Sequence, residues 1–127
     1  MRIFILEDNS ERIKWFKKVF ENHELFITSL IGKAHNEAMS KEYDIFFLDH
    51  DLEPENITAL KEGRTGYDFV KALVADKLQK HAIFYVHSMN PVGGSAIMNL
   101  LKDNEYEAQC LPFHLLKVQY DIIEKRK

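Results

Sequence analysis

The run Tyr43-Asp44-Ile45-Phe46-Phe47-Leu48-Asp49-His50-Asp51-Leu52 constrains the fold more than any other stretch of the chain. Four apolar residues, Ile45 to Leu48, follow one another without a polar break and stop at two carboxylates and an imidazole. An apolar run of that length, bounded by polar residues, reads as a strand buried on both faces, as in parallel sheets. The charged stop then lies at the strand's carboxyl end, the edge of open α/β sheets where ligands bind. Polar residues also mark the plain exit of a strand from a core, so one such stop does not define a site. A second apolar run, Ile3 to Leu6, ends in another acidic pair, Glu7 and Asp8, and this repetition favours the functional reading.

The rest of the chain supplies the partners such strands need. Asp8 or Asn9 caps a first helix over Ser10–Asn22, whose Ile13, Phe16, Val19 and Phe20 share a face. Glu11 follows Asp8 at the spacing of a capping box. A short strand over Leu25–Leu30 is broken by Gly32, a weak helix covers Ala34–Lys41, and the central strand spans 44–49. Residues 52–64 carry Pro54, Asn56, Thr58 and Gly63 and read as a loop, longer than the usual connection of about 2–6 residues. Such a loop is either a binding loop or a tolerated insertion. Thr65-Gly66 opens a helix to about Gln79, Ala82–His87 is a fourth strand, and Pro91 to Gly94 begins a further helix. Ala108–Leu111 is a fifth strand and Pro112–Glu124 a final helix. Strands alternating with helices imply a parallel sheet covered on both faces.

Composition narrows the function. The 127 residues fit a single domain, 1–127, and a 46% hydrophobic content fills one core. A net charge of −3 makes no electrostatic case for a membrane surface or an extended nucleic-acid surface, although a small nucleotide or an RNA end needs only a local site. The lone Cys110 excludes an internal disulfide framework and fits a reducing compartment. Met1–Leu6 is too short an apolar run for a signal or membrane segment, so the chain reads as cytoplasmic.

A parallel sheet brings the carboxyl ends of strands one, three and four to one edge, where Glu7, Asp8, Asp49, Asp51, His87 and Ser88 converge. Crowded carboxylates raise one another's pKa unless a cation lies between them, so the cluster implies a divalent metal. Oxygen ligands suit magnesium, and a histidine ligand shifts the preference towards manganese, iron or zinc. Alternation along the strand points Asp49 and Asp51 one way and His50 the other, so His50 packs beneath the site and orients a ligand. A lone histidine is as readily structural as functional, and His87 at a strand end is the stronger of the two. Gly93-Gly94 after Pro91 is either a plain turn or a place where backbone N–H groups face a phosphate.

These residues, in the order Glu7-Asp8-Asn9-Ser10-Glu11-Arg12, Asp44 to Asp49, Thr65-Gly66 and His87-Ser88, resemble a two-component receiver domain. The resemblance runs nearly the length of the chain. It implies a flavodoxin-like, receiver-like doubly wound sheet of five parallel strands in the order 2-1-3-4-5. It implies too that Glu7 and Asp8 are the acidic metal pair, Asp49 the phosphoacceptor position and Ser88 the hydroxyl position. Two departures stand out. Receivers end strand five with a lysine before a proline, whereas Leu111 precedes Pro112 here, and the second residue after the acceptor is the acidic Asp51. The Leu48-Asp49-His50-Asp51-Leu52 signature, Thr65-Gly66 and His87-Ser88-Met89-Asn90 are similar to an offshoot, the cyclic-phosphate processing receiver-like domains.

That resemblance implies a phosphoesterase acting on a nucleotide or RNA-terminal cyclic phosphate. In it Glu7, Asp8, Asp49 and Asp51 hold magnesium or manganese and Asp49 and His87 are catalytic. Ser88 and Asn90 meet the phosphate, and His50 and Thr65 support the ligand set. Opening a cyclic phosphodiester needs a metal and an acid for the leaving oxygen, which this set contains. Two other readings stand beside it: a signalling module phosphorylated on Asp49 or acting as a pseudo-receiver on a protein partner, and a metal-binding domain without turnover.

Overall fold

The computed structural model describes residues 1–49, 66–87 and 91–115. Five strands, β1 (Arg2–Leu6), β2 (Glu24–Thr28), β3 (Ile45–Leu48), β4 (Ile83–Val86) and β5 (Glu107–Cys110), form one sheet in the order β2-β1-β3-β4-β5. Every neighbouring pair is parallel. Among the described residues, four helices connect them: α1 (Ser10–Val19), α2 (Ile31–Ser40), α3 (Gly66–Ala75) and α4 (Pro91–Asp103). This is the doubly wound, flavodoxin-like receiver arrangement, and it follows from strands that are apolar on both faces.

The period-two alternation of the strands divides the core into two layers. On one face Phe4, Leu6, Phe46, Leu48, Phe84 and Val86 meet Ala34 and Ala38 of α2, Phe69 and Leu73 of α3, and Ile97 and Leu101 of α4. On the other face Ile3, Ile5, Ile45, Phe47 and Tyr85 meet Phe16 and Phe20, where α1 packs. Register ties the aromatic residues together across strands. Phe4, Phe46 and Phe84 are direct neighbours, and their rings stack with centroids 4.7 and 4.6 Å apart. Such pairs add roughly 0.5–1.5 kcal/mol each beyond the area they bury.

Helix boundaries differ from the sequence expectation where local chemistry intervenes. Asn9 is the cap of α1, its side chain accepting the Arg12 N–H at 3.0 Å, so Asp8 is not needed for that role. The helix ends at Val19 rather than Asn22. Gly32 does not break the second strand, which has already ended at Thr28, and lies in the first turn of α2. Helix α3 stops at Ala75, short of Gln79, because Lys77 and Gln79 take positive φ angles of 54° and 59°. Gln79 stabilises that turn with its own side chain. Its Nε2 donates to the Ala38 and Lys41 carbonyls at 2.7 and 2.6 Å, and its Oε1 accepts the Tyr43 N–H at 2.9 Å.

Strand β5 runs one residue earlier than expected, and only Ala108 in it is buried, as befits an edge. The chain is helical again at Phe113, and the rest of the helix expected to Glu124 lies outside the described residues, as do the 52–64 loop and Thr65. Among the described residues no helix is long and apolar enough to cross a membrane.

Candidate active site

Register decides which side chains meet at the carboxyl edge. Leu6, Leu48 and Val86 are direct neighbours on β1, β3 and β4. The next residue on each strand is Glu7, Asp49 or His87. The ladder continues into these positions, since Asp49 N donates to Leu6 O at 3.1 Å and His87 N to Leu48 O at 3.0 Å. Alternation sends all three side chains to the α1 face, the one that holds Ile5, Phe47 and Tyr85. Adjacent strands lie about 4.8 Å apart, so three in-register side chains form a tight group by construction. One ligand atom from each of Glu7, Asp49 and His87 lies within 4.8 Å of the others.

The trio is deeply buried. Glu7 and His87 are 0% exposed and Asp49 is 2% exposed. Glu7 uses both carboxylate oxygens. Oε2 accepts the backbone N–H groups of Asp8 and Asn9 at 3.0 and 3.1 Å, and Oε1 lies 2.7 Å from His87 Nε2. Burial pushes the Glu7 carboxyl up. The hydrogen bond and charge of His87, the hydrogen bond with Asp49 and the Asn9 amide outweigh it and bring the group down to about 2. Nδ1 of His87 is buried and has no hydrogen-bond partner among the described residues. The imidazole packs on the ring of Phe16 at 5.6 Å between centroids.

A fourth group completes the arrangement. Arg12 of α1 places Nη1 3.6 Å from both Glu7 Oε1 and Asp49 Oδ2. Its guanidinium carbon lies 5.3 Å from the centroid of the Phe113 ring. Position 111, where the receiver pattern has its lysine, is a buried leucine packed in the apolar layer under α1.

A family model for the cyclic-phosphate processing Receiver domain matches residues 2–103. The chain belongs to this family. Solved structures similar to this cyclic-phosphate processing receiver domain are response-regulator receivers. The signal receiver domain of a putative Luxo repressor protein from Vibrio parahaemolyticus is 13% identical, with a TM-score of 0.66 over 96% of this chain and 86% of that one. A CheY-like receiver domain from Methylobacillus flagellatus is 21% identical, with a TM-score of 0.62 over 88% and 85%. The chemotaxis protein CheY4 of Vibrio cholerae is 14% identical, with a TM-score of 0.61 over 87% and 84%. At these identities the likeness concerns the fold. A comparison with curated proteins gave no significant match.

Of the site residues expected from the sequence, the structure brings Glu7, Asp49 and His87 of this receiver domain together. Asp8 is not in that trio. It follows Glu7 with the opposite strand parity, and together with Glu7 it lines a surface groove between α1 and β2. His50, Asp51, Thr65, Ser88 and Asn90 lie outside the described residues. Arg12 was not among the expected site residues. A signal for it exists: Arg12 is the third residue of α1, where a cation opposes the helix dipole unless carboxylates face it.

Two carboxylates and an imidazole are a donor set that a divalent cation accepts, with manganese favoured over magnesium when the nitrogen takes part. Metal–ligand bonds of about 2.0–2.3 Å allow donors up to roughly 4.5 Å apart, close to the span of this trio. The residues present therefore fit a divalent cation. Arg12 now provides the positive charge between the two carboxylates.

Proposed function

We propose that this domain hydrolyses a cyclic phosphodiester, of the kind carried by a 2′,3′-cyclic nucleotide or an RNA end, to a phosphomonoester. The observation that carries the reading is the buried Glu7–His87 pair set beside Asp49, at the ends of three neighbouring strands. Glu7 and Asp49 would hold a divalent ion, joined by Asp8 and Asp51, and when bound it would polarise a phosphoryl oxygen and acidify a water.

The chain's own residues supply the rest. Glu7 holds Nε2 of His87 at 2.7 Å and fixes the orientation of the ring. Nδ1, the ring nitrogen that Glu7 does not hold, donates its proton to the ribose oxygen that leaves phosphorus. Water adds to phosphorus as one P–O bond breaks, and its surplus proton restores the one that His87 gave up. Ser88 follows His87 directly in the chain, Asn90 comes two residues later, and both are suited to the remaining phosphoryl oxygens.

The test follows a 2′,3′-cyclic nucleotide with manganese or magnesium by phosphorus NMR. Monoester should form with the wild-type protein and be lost in His87→Ala. No monoester with any divalent ion, or undiminished turnover in His87→Ala, would overturn the proposal. Phosphorylation of Asp49 is the second reading, favoured by the position of Asp49 at the end of β3 in a receiver fold.

A further inference from the structure

We propose that Arg12 is the residue that binds the phosphoryl oxygens at this site, a role delivered from α1. The proposal rests on the phosphate reading above for the class of ligand, but not on turnover.

Three observations point the same way. First, the guanidinium is near the carboxylates without being locked to them. Its 3.6 Å separations from Glu7 Oε1 and Asp49 Oδ2 exceed hydrogen-bond length, so the attraction is largely that of charge. Glu7 Oε1 already has a better partner in His87 Nε2 at 2.7 Å. A guanidinium carries five donors in a planar fork suited to two oxygens of a phosphate, and neither of these 3.6 Å contacts satisfies them.

Second, its position is fixed from behind. The Phe113 ring lies 5.3 Å from the guanidinium carbon, on the segment that follows β5, and this ring also packs against Trp15 and Phe16 of α1. Stacking on an aromatic face restrains the long side chain while leaving its donors for a ligand. The backbone of Arg12 is tied down too, because its N–H is the group that Asn9 caps. The side chain is 22% exposed, so it borders solvent while the trio beneath it does not.

Third, the charge count changes when the site is loaded. Arg12 stands in the first turn of α1, where the helix dipole disfavours a cation, and the two carboxylates offset that cost. A divalent ion between Glu7 and Asp49 would satisfy them and repel Arg12. The guanidinium would then need another anion within reach, and the phosphoryl oxygens of the ligand would be that anion. Among the described residues no lysine or other arginine forms an ion pair with Glu7 or Asp49.

The test titrates the magnesium-loaded protein with inorganic phosphate, and in a second arm with a 2′,3′-cyclic nucleotide, by calorimetry. Arg12→Ala should weaken phosphate binding at least about tenfold and Arg12→Lys less, since the charge survives and the fork does not. Metal affinity, titrated without phosphate, should be unchanged or tighter in Arg12→Ala. Arg12→Gln and circular dichroism check that the loss is not one of folding.

The proposal is overturned if wild-type protein binds no phosphate, if Arg12→Ala binds it equally well, or if metal and phosphate affinities fall together. The two readings separate cleanly. Arg12-dependent phosphate binding without hydrolysis removes the phosphoesterase and keeps the anion site. Hydrolysis undiminished in Arg12→Ala does the reverse.

Discussion

Glu7 and His87 lie 80 residues apart in the chain and meet across 2.7 Å with no exposed surface on either side chain. The pair spans two strands that are not neighbours, since β3 and its Asp49 lie between them. A buried acid paired with a buried imidazole is costly to break, because the survivor keeps its desolvation penalty and loses its partner. His87→Ala should therefore lower stability by about 3–5 kcal/mol in urea denaturation, and His87→Gln, which retains a donor, by less. A loss near zero for His87→Ala would mean that the pair contributes nothing net.

The same pair fixes a pH dependence. Glu7 is held below its ordinary value of 4.5, at about 2, so the folded protein binds this proton less readily than the unfolded chain does. Its contribution to stability is present above about 4.5 and is lost as the pH falls towards about 2. The difference in unfolding free energy between wild type and Glu7→Gln should shrink through that window. A difference that stays constant as the pH falls from about 6 to about 2 would contradict the assignment.

Asp49 lies 3.6 Å from Arg12 and next to the Glu7 carboxylate, so one positive guanidinium faces two acids. Without added metal, Asp49→Asn should raise the melting temperature, because it removes the repulsion between two neighbouring carboxylates. Added manganese or magnesium should stabilise the wild type and have a much smaller effect on the variant. Scanning fluorimetry with and without the ion measures both, and an Asp49→Asn protein that melts lower and still responds fully to metal would be the opposite result.

Gln79 offers a test far from the site. Its side chain makes three hydrogen bonds to Ala38, Lys41 and Tyr43 from a left-handed backbone position. Gln79→Ala should cost about 1–3 kcal/mol, as expected when buried or half-buried backbone groups lose their partners. Gln79→Gly should regain part of the backbone strain but none of the bonds. Equal stability of both variants and the wild type would show that water replaces the amide.

Acetyl phosphate separates the phosphoesterase from the signalling module. With Leu111 buried in the apolar layer where receivers have lysine, Asp49 should gain no lasting phosphoryl group detectable by mass spectrometry. A stable adduct that disappears in Asp49→Asn would favour the signalling reading instead.

Much of this architecture could be read from the chain because its strands are apolar on both faces. Ile3–Leu6 and Ile45–Leu48 have no polar residue to misassign, and a parallel sheet follows from them almost without choice. Helix ends were harder to read, since Gln79 adopts a positive φ that no sequence rule assigns to glutamine. The site was legible as a set of candidates and less so as an arrangement. Within the run Asp49-His50-Asp51 alternation sets His50 apart from its two neighbours. Extended to β1 and β4, it separates Glu7 from Asp8 and His87 from Ser88, and selects the trio found. Arg12 escaped because a helix residue inherits its place from the packing of α1 on the sheet, which no local pattern encodes.

The contact between Arg12 and Phe113 bears on where the working unit ends. The family match stops at residue 103, yet the ring that backs the guanidinium lies ten positions beyond it. A chain trimmed to the matched stretch would retain every charged member of the cluster and lose the surface against which one of them rests. The smallest fragment that keeps this arginine in place therefore has to extend past Phe113, and truncation series that stop short of it would mistake a loosened arginine for a missing function.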